Sequence, residues 1–456
     1  MSEKKELSRR SYLKYAAAAT VAAGLGAAGL YAGYQLSPKP KERIEIRIVT
    51  DETNPTVVAE MNRAALEYEE TTDVRVKVQP SYMGGMANVL AAGIAAGDMP
   101  EIAWGGGMSY VIELARLGEL MPLTGVIDEI GRDKFYDTAV DEATWRNDVW
   151  MAPMDIEPNM FWYRKDLYEE HGLPTPPETW DDLLEASEVL NNPPEMYGTV
   201  VPLGLEYMAS EGIFLPNFWQ NNGLICDADL NVVIDRDPYL TRTIETLDYL
   251  KQLQKYSPPG SANYSYSETY TAFVSEAAAS CGYWARVLEV MSRTNPSMLK
   301  KYGCCPFPRP KGGMLAAKGG AEGVGVLKKS KHPDAAVDYV KWYYTSDSYL
   351  RWLHTVPAHL WPARKDVAES AEFRNNPLLL ENPEVPETVQ RLLPVCYTTS
   401  REPNGIRNVA GDSGAYLYAV SELVQSVVWG NEDAETAISA FAKKIRQFIE
   451  EAKSYQ

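Results

Sequence analysis

Histidine is scarce in this chain of 456 residues: only His171, His332, His354 and His359 occur. No His-Xaa-Xaa-Xaa-His pair, Cys-Xaa-Xaa-Cys pair or EF-hand loop is present, which removes the common sequence-encoded metal sites. Positive charge is short as well. Lys and Arg number 44 against 62 Asp and Glu, for a formal net charge of −18. A surface of that sign repels phosphate backbones and argues against nucleic acid as a partner. Cysteine is sparse: Cys226, Cys281, Cys304, Cys305 and Cys396 are odd in number and match no zinc spacing. Neighbouring Cys304 and Cys305 would strain a mutual bridge, so one long-range disulfide stays open and no thiol is assigned to catalysis. No cofactor or metal is expected.

What is present begins at the N-terminus. "SRRSYLK", Ser8 to Lys14, precedes an uncharged Ala- and Gly-rich stretch from Tyr15 to Tyr34. Paired arginines before such a stretch resemble a twin-arginine export signal, a receptor-read address. About twenty apolar residues also suffice to cross a bilayer if the segment is retained. Residues 1–36 are therefore expected to be a signal or a membrane anchor, and 37–43 a Pro/Lys linker. The working protein is expected outside the cytoplasm, periplasmic or at the cell surface, released or tethered.

The remainder is long for one core, so two lobes are expected. "IEIRIVT" alternates like a strand, "PTVVAEMNRAALEYEETTD" has helical spacing, and "VRVKVQP" returns to strand. A helix from "MANVLAAGIAAGDMP", the short run "EIAWGGG" and another helix follow. This β-α-β-α-β order is that of a parallel sheet flanked by helices. Ligands gather at the carboxyl ends of such strands, which singles out "TDETN", "PSYMGG" and "WGGGMSY". They offer Asp51 and Glu52, Tyr82, and Trp104. The triple glycine lacks a following Lys-Ser/Thr pair and reads as close backbone approach, not a phosphate cradle. Farther on, "VWMAPMDIEPNMFWYRKDL" carries Pro158 mid-stretch, where a central strand tolerates it badly. The chain is expected to leave one sheet there and enter another. In the run Phe161, Trp162, Tyr163, neighbours on a strand face opposite sides, so at least one of the three must enter core, and none is assigned to the ligand. Thr179 should cap the next helix, with Asp181 and Asp182 in its first turn.

"YRKDLYEEHGLPTPPETWDDLLEASEVL" resembles the signature region of the extracellular solute-binding proteins of sugar-importing ABC transporters, the maltose-binding relatives. "PEIAWGGGMSYVIELARLGELMPL", "FVSEAAASCGYW", "GGAEGVGVLKKSKHPDAAVDYVKWYYTSD" and "NEDAETAISAFAKKIRQFIEE" resemble further stretches of that family in the same order. The resemblance spans nearly all of the chain after the linker. It implies a type II periplasmic-binding-protein fold: two α/β lobes, each a mixed, mostly parallel sheet flanked by helices, joined by hinge strands. The lobes would be 44–156 with 314–362, and 157–313 with 363–456. Hinge closure around the guest is the movement known for such proteins. The implied function is to capture a sugar or oligosaccharide outside the cytoplasmic membrane and deliver it to permease subunits, as a monomer and not as an enzyme.

A sugar site needs rings for C–H faces and acceptors for hydroxyls. Each buried aromatic contributes about 1.5–3 kcal/mol, and each hydrogen bond to a charged group about 1.5–3 kcal/mol. By the resemblance, Trp284 in "CGYW" matches a stacking tryptophan, Glu157 a hinge carboxylate, and Trp104 lies within one position of a first-lobe stacking residue. Tyr416 lies where relatives place an aromatic of a C-terminal helix. Glu322 and Arg364 sit at the second crossing, and Trp219 in "LPNFWQNNG" is a ring candidate for which core packing is an equal reading. Two rival readings are hydrolytic. "GDSG", Gly411 to Gly414, has the look of a serine-protease box, but no histidine sits in a partner motif. A glycosidase needs two carboxylates about 5–9.5 Å apart, which 62 acidic residues cannot exclude. A non-sugar guest such as a glycerol phosphate would use the same fold but needs a cationic cluster.

Overall fold

The structure, a computed structural model, describes residues 43–81, 85–105 and 107–453. The 1–36 segment, all but Arg43 of the linker, and Tyr82 lie outside these residues. Among the described residues no helix is long and apolar enough to cross a membrane.

The chain opens with β1 (Ile44–Thr50), α1 (Pro55–Thr71), β2 (Val74–Pro80), α2 (Gly85–Ala96), β3 (Ile102–Trp104) and α3 (Gly107–Arg116), the expected alternation. Asn54 caps α1, its side chain accepting from the Thr56 N–H, which satisfies a donor the first helical turn leaves open. Next come β4 (Ala152–Ile156) and β5 (Asn159–Arg164), separated only by Glu157 and Pro158. Later strands are β6 (Ser280–Trp284), β7 (Tyr302–Cys305), β8 (Ala317–Lys318), β9 (Ala321–Val326), β10 (Trp361–Pro362) and β11 (Cys396–Tyr397).

Six of these form one mixed sheet in the order β10-β4-β9-β3-β1-β2. β1 runs parallel to β2 and β3, while β9 is antiparallel to both β3 and β4. A second sheet, β6-β5-β7, is antiparallel and gains a parallel bridge from Val200 to Cys281. The step from β4 to β5 thus carries the chain from the larger sheet to the smaller, at the proline that a ladder could not have accommodated.

Phe161, Trp162 and Tyr163 are all buried. Phe161 and Tyr163 pack in one apolar cluster and Trp162 in the other, as a period of two requires. The larger cluster runs continuously from the six-stranded sheet to one face of the smaller one. Thr179 caps its helix reciprocally. Its hydroxyl accepts from the Asp182 N–H at 3.1 Å and its own N–H donates to the Asp182 carboxylate at 2.8 Å. All five cysteines are free thiols, four of them buried.

Candidate functional site

The carboxyl ends of β1, β3 and β4 and the end of β6 converge on a cavity of about 760 Å³. Its walls carry Asp51, Glu52, Trp104, Glu157, Trp284 and Glu322 from among the sequence candidates. Each arrives there for a local reason. Asp51 and Glu52 leave the end of β1, where the Thr50 hydroxyl accepts the Glu52 N–H and the Glu52 carboxylate accepts the Asn54 N–H. Gly105, at φ 93°, turns the chain after β3. A Cβ on it would overlap the Asp51 carboxylate, so glycine gives Asp51 its place. Glu157 sits in the two-residue step between sheets. Trp284 ends β6 opposite Asn159.

Trp284 belongs to an aromatic wall. Its ring centroid lies 6.3 Å from that of Tyr207 and 6.0 Å from that of Tyr266, and Tyr270 is 6.2 Å from Tyr266. Trp104 contributes less open surface than expected. It packs edge-on against Tyr343 at 4.7 Å and tilted against Trp352 at 5.7 Å, only 4% exposed.

Carboxylates form the polar part of the walls. Glu322 on β9 is the cross-strand partner of Asp155 on β4. Burial, then Glu322, holds the Asp155 and Glu157 carboxyls well above their ordinary range. Burial likewise raises Asp51, to about 8, with Glu322 and Glu52 adding to it. Glu157 Oε1 lies 3.1 Å from His359 Nε2. Burial, with Arg286 nearby, depresses His359 well below the usual imidazole value. Burial therefore disfavours the charged ring, whose Nε2 faces both Glu157 Oε1 and, at 3.5 Å, the Tyr266 hydroxyl.

Cations enter as pairs. Arg286, at the start of the helix after β6, places Nη2 2.8 Å from Glu52 Oε2. Lys318 Nζ lies 2.9 Å from Glu211 Oε1 and 6.0 Å from the centre of the Trp284 ring. Burial opposes the Arg286 charge, yet Tyr266, Glu52 and Glu157 hold its pKa well above the ordinary value. Lys318 is raised in the same way, against burial, by Glu211. Sequence reasoning did not single out Arg286, Lys318, Glu211, His359, Asp155, Tyr207 or Tyr266. The one available signal was position, since Arg286 stands two residues after Trp284.

Three candidates fall elsewhere and are corrected. Trp219 is fully buried in the second core cluster, where its Nε1–H donates to Glu402 at 3.1 Å. Tyr416 is equally buried there, near Phe448. Arg364 pairs with Asp366 at 2.6 Å and donates to the Tyr344 carbonyl, away from the cavity. In "GDSG", Ser413 is a helix cap: its hydroxyl accepts the Ala415 N–H at 3.2 Å at the start of the helix Gly414–Val428.

Comparison with known proteins agrees with this architecture. YcjN of Escherichia coli (strain K12), named as an ABC transporter periplasmic-binding protein, is 23% identical over 373 residues, covering 78% of this chain and 81% of its own length. Maltose-bound MalE3 of T. maritima superposes with a TM-score of 0.76 at 20% identity, covering 88% of this chain and 99% of that one. A solute-binding protein from Agrobacterium radiobacter K84 in complex with ribitol gives 0.73 at 19% identity, covering 90% and 100%. The GacH receptor of Streptomyces glaucescens, solved unliganded and with acarbose, gives 0.75 at 17%, covering 90% and 99%. These likenesses show the type II periplasmic-binding-protein fold. The sequence pattern of the bacterial extracellular solute-binding proteins, the binding components of ABC transporters, matches residues 52–349, and the chain belongs to that family.

Proposed function

We propose that this chain captures a sugar or oligosaccharide outside the cytoplasmic membrane and hands it to permease subunits by closing a hinge. The observation that carries this reading is the pairing of surfaces in one cavity: the Trp284, Tyr207 and Tyr266 rings beside the Asp51, Asp155, Glu157 and Glu322 carboxyls. Rings suit the apolar C–H faces of a pyranose, and carboxylates accept its hydroxyls. Maltose, ribitol and acarbose in the similar structures are consistent with such a guest.

Lobes of 44–156 with 314–362, and of 157–313 with 363–456, would move as two bodies about the Glu157–Pro158 step and the return crossings. The guest, contacting both, would shift the population to the closed form. Residues 1–36 would deliver the chain across the membrane as a twin-arginine signal or hold it there as an anchor, with 37–43 as linker. The protein would act as a monomer and without turnover.

A phosphate-bearing guest fits the cavity less well. Arg286 and Lys318, which would have to bind it, are already committed to Glu52 and Glu211. The deciding experiment is a panel of mono- and oligosaccharides read by melting shift, with each sugar recovered and weighed by mass spectrometry. A shift with the sugar intact supports capture. Cleaved sugar would establish a glycosidase instead, and no shift with any member would sink the sugar reading.

A further inference from the structure

Within this cavity the acidic groups and the cations do not balance. Glu322 and Asp155 stand directly opposite one another on adjacent strands, an arrangement that is unfavourable when both are charged. Asp51 and Glu157 join them, and Glu322 acts on both. The cations lining the same cavity are Arg286, Arg293 and Lys318. Each is bound elsewhere: to Glu52 at 2.8 Å, to Glu289 at 2.8 Å and to Glu211 at 2.9 Å. None forms an ion pair with the group of four. His359, the remaining basic residue on the wall, has its charged form disfavoured by burial, and its Nε2 lies 3.1 Å from Glu157 Oε1.

The hydrogen-bond account has the same sign. Asp155 Oδ2 is a buried carboxyl oxygen with no hydrogen-bond partner among the described residues, and the residue is 1% exposed. Arg286 and Lys318 act on these carboxyls only from a distance, while paired with Glu52 and Glu211. Near them, the π faces of Tyr207, Tyr266 and Trp284 line the same space.

We propose that the guest is a polyhydroxylated ring bearing a protonated amine, an amino sugar or aminocyclitol, whose ammonium sits among Asp155, Glu157, Glu322 and Asp51. The inference rests on the sugar-receptor reading and narrows it. An ammonium brings three donors, a full positive charge and no lone pair, which suits four carboxyls that have no ion pair of their own. A neutral hydroxyl brings one donor and two further acceptors into a place already rich in acceptors. Ring hydroxyls would still be needed, since Arg286 Nε is a buried donor without a partner among the described residues. Aromatic faces add cation–π attraction, and the net charge of −18 favours encounter with a cation. In the absence of such a guest, burial and Glu322 disfavour the charged forms of Asp155 and Glu157.

The test uses matched probes on the full chain: glucosamine, N-acetylglucosamine and glucose, the galactose equivalents, and chitosan disaccharide beside chitobiose. Melting shifts rank them and titration calorimetry gives affinities. At least one free amine should bind ten-fold or more tightly than its acetylated and hydroxyl counterparts. Glu322→Gln should reduce that preference at least ten-fold while circular dichroism stays unchanged. Asp155→Asn provides a second variant should Glu322→Gln fold poorly. A neutral sugar bound as tightly as its amine, or bound while no amine binds, overturns the amine and leaves the sugar receptor standing. No binding by any probe overturns both, whereas an amine preference that neither variant alters overturns the ammonium's place among these carboxyls and leaves the sugar receptor standing.

Discussion

Arg286 and Glu52 meet with Nη2 2.8 Å from Oε2, although 234 positions separate them in the chain. Glu52 follows β1 of the larger sheet, and Arg286 follows β6 of the smaller. Both side chains are largely buried, so the pair is little screened. An ion pair placed between two sheets favours the geometry in which the sheets approach. Removing one charge should therefore favour the open form. A hydrogen bond to a charged group contributes about 1.5–3 kcal/mol, equivalent to a roughly 10- to 150-fold change in the closed-to-open ratio. Glu52→Gln should enlarge the radius of gyration of the ligand-free protein in X-ray scattering. An unchanged curve would show that the pair does not bias closure.

Trp284 and Glu157 supply the two kinds of surface a sugar needs, one ring and one carboxylate. Trp284→Ala and Glu157→Ala should each weaken binding of the sugar identified by the melting panel by about 1.5–3 kcal/mol, or roughly 10- to 150-fold. Trp284 is 5% exposed, so its truncation also costs stability, and affinity must be measured well below the melting transition. Glu157→Ala removes the partner 3.1 Å from His359 Nε2, which makes the same precaution necessary. Full affinity in both variants would misplace the site.

Asp51 makes the stability of the ligand-free protein depend on pH. Burial lifts its carboxyl to about 8, far above the unfolded value near 3.9. Between those limits the folded state holds a proton that the unfolded chain releases, so stability falls as pH rises. The contribution is complete below about pH 4 and is lost as pH passes through about 8. Melting temperature should drop between about pH 4 and pH 8, and Asp51→Asn should flatten that part of the profile. An equally steep fall in Asp51→Asn would assign the effect to another group.

Much of the scaffold was legible because its signals are local. Strands β1 and β2, the helix between them, the Thr179 cap and the break at Pro158 each follow from neighbours in sequence. Glu157 and Trp284 were found through their surroundings in the chain. The cavity was legible only in part because its pairs are not local. His359 meets Glu157, and Lys318 meets Glu211, across 202 and 107 positions, differences read directly from their numbers. Aromatic residues give the same signal in a core as in a site, which is why Trp219 and Tyr416 were candidates with core packing as an equal reading, and they lie in the second core. Arg364 was a candidate on the same terms from its place at a crossing, and the nearer Asp366 takes its guanidinium.

The reason Trp219 is core also yields a prediction. Glu402 is a buried carboxylate that accepts from Trp219 Nε1 at 3.1 Å and from the backbone N–H groups of Ile225 and Cys226 at 3.0 Å each. Burial raises its carboxyl to about 7, against these three donors, which favour the charged form. It belongs to the segment whose Thr398, Thr399, Ser400 and Gly411 line the cavity, so one side chain ties that wall to the core. Glu402→Ala would leave three buried donors without an acceptor, each costing about 1–3 kcal/mol. Urea denaturation should show a loss of about 3 kcal/mol or more. Glu402→Gln keeps an acceptor oxygen and should lose less than half as much. Equal losses would mean that the charge, and not the accepted hydrogen bonds, holds the segment in place.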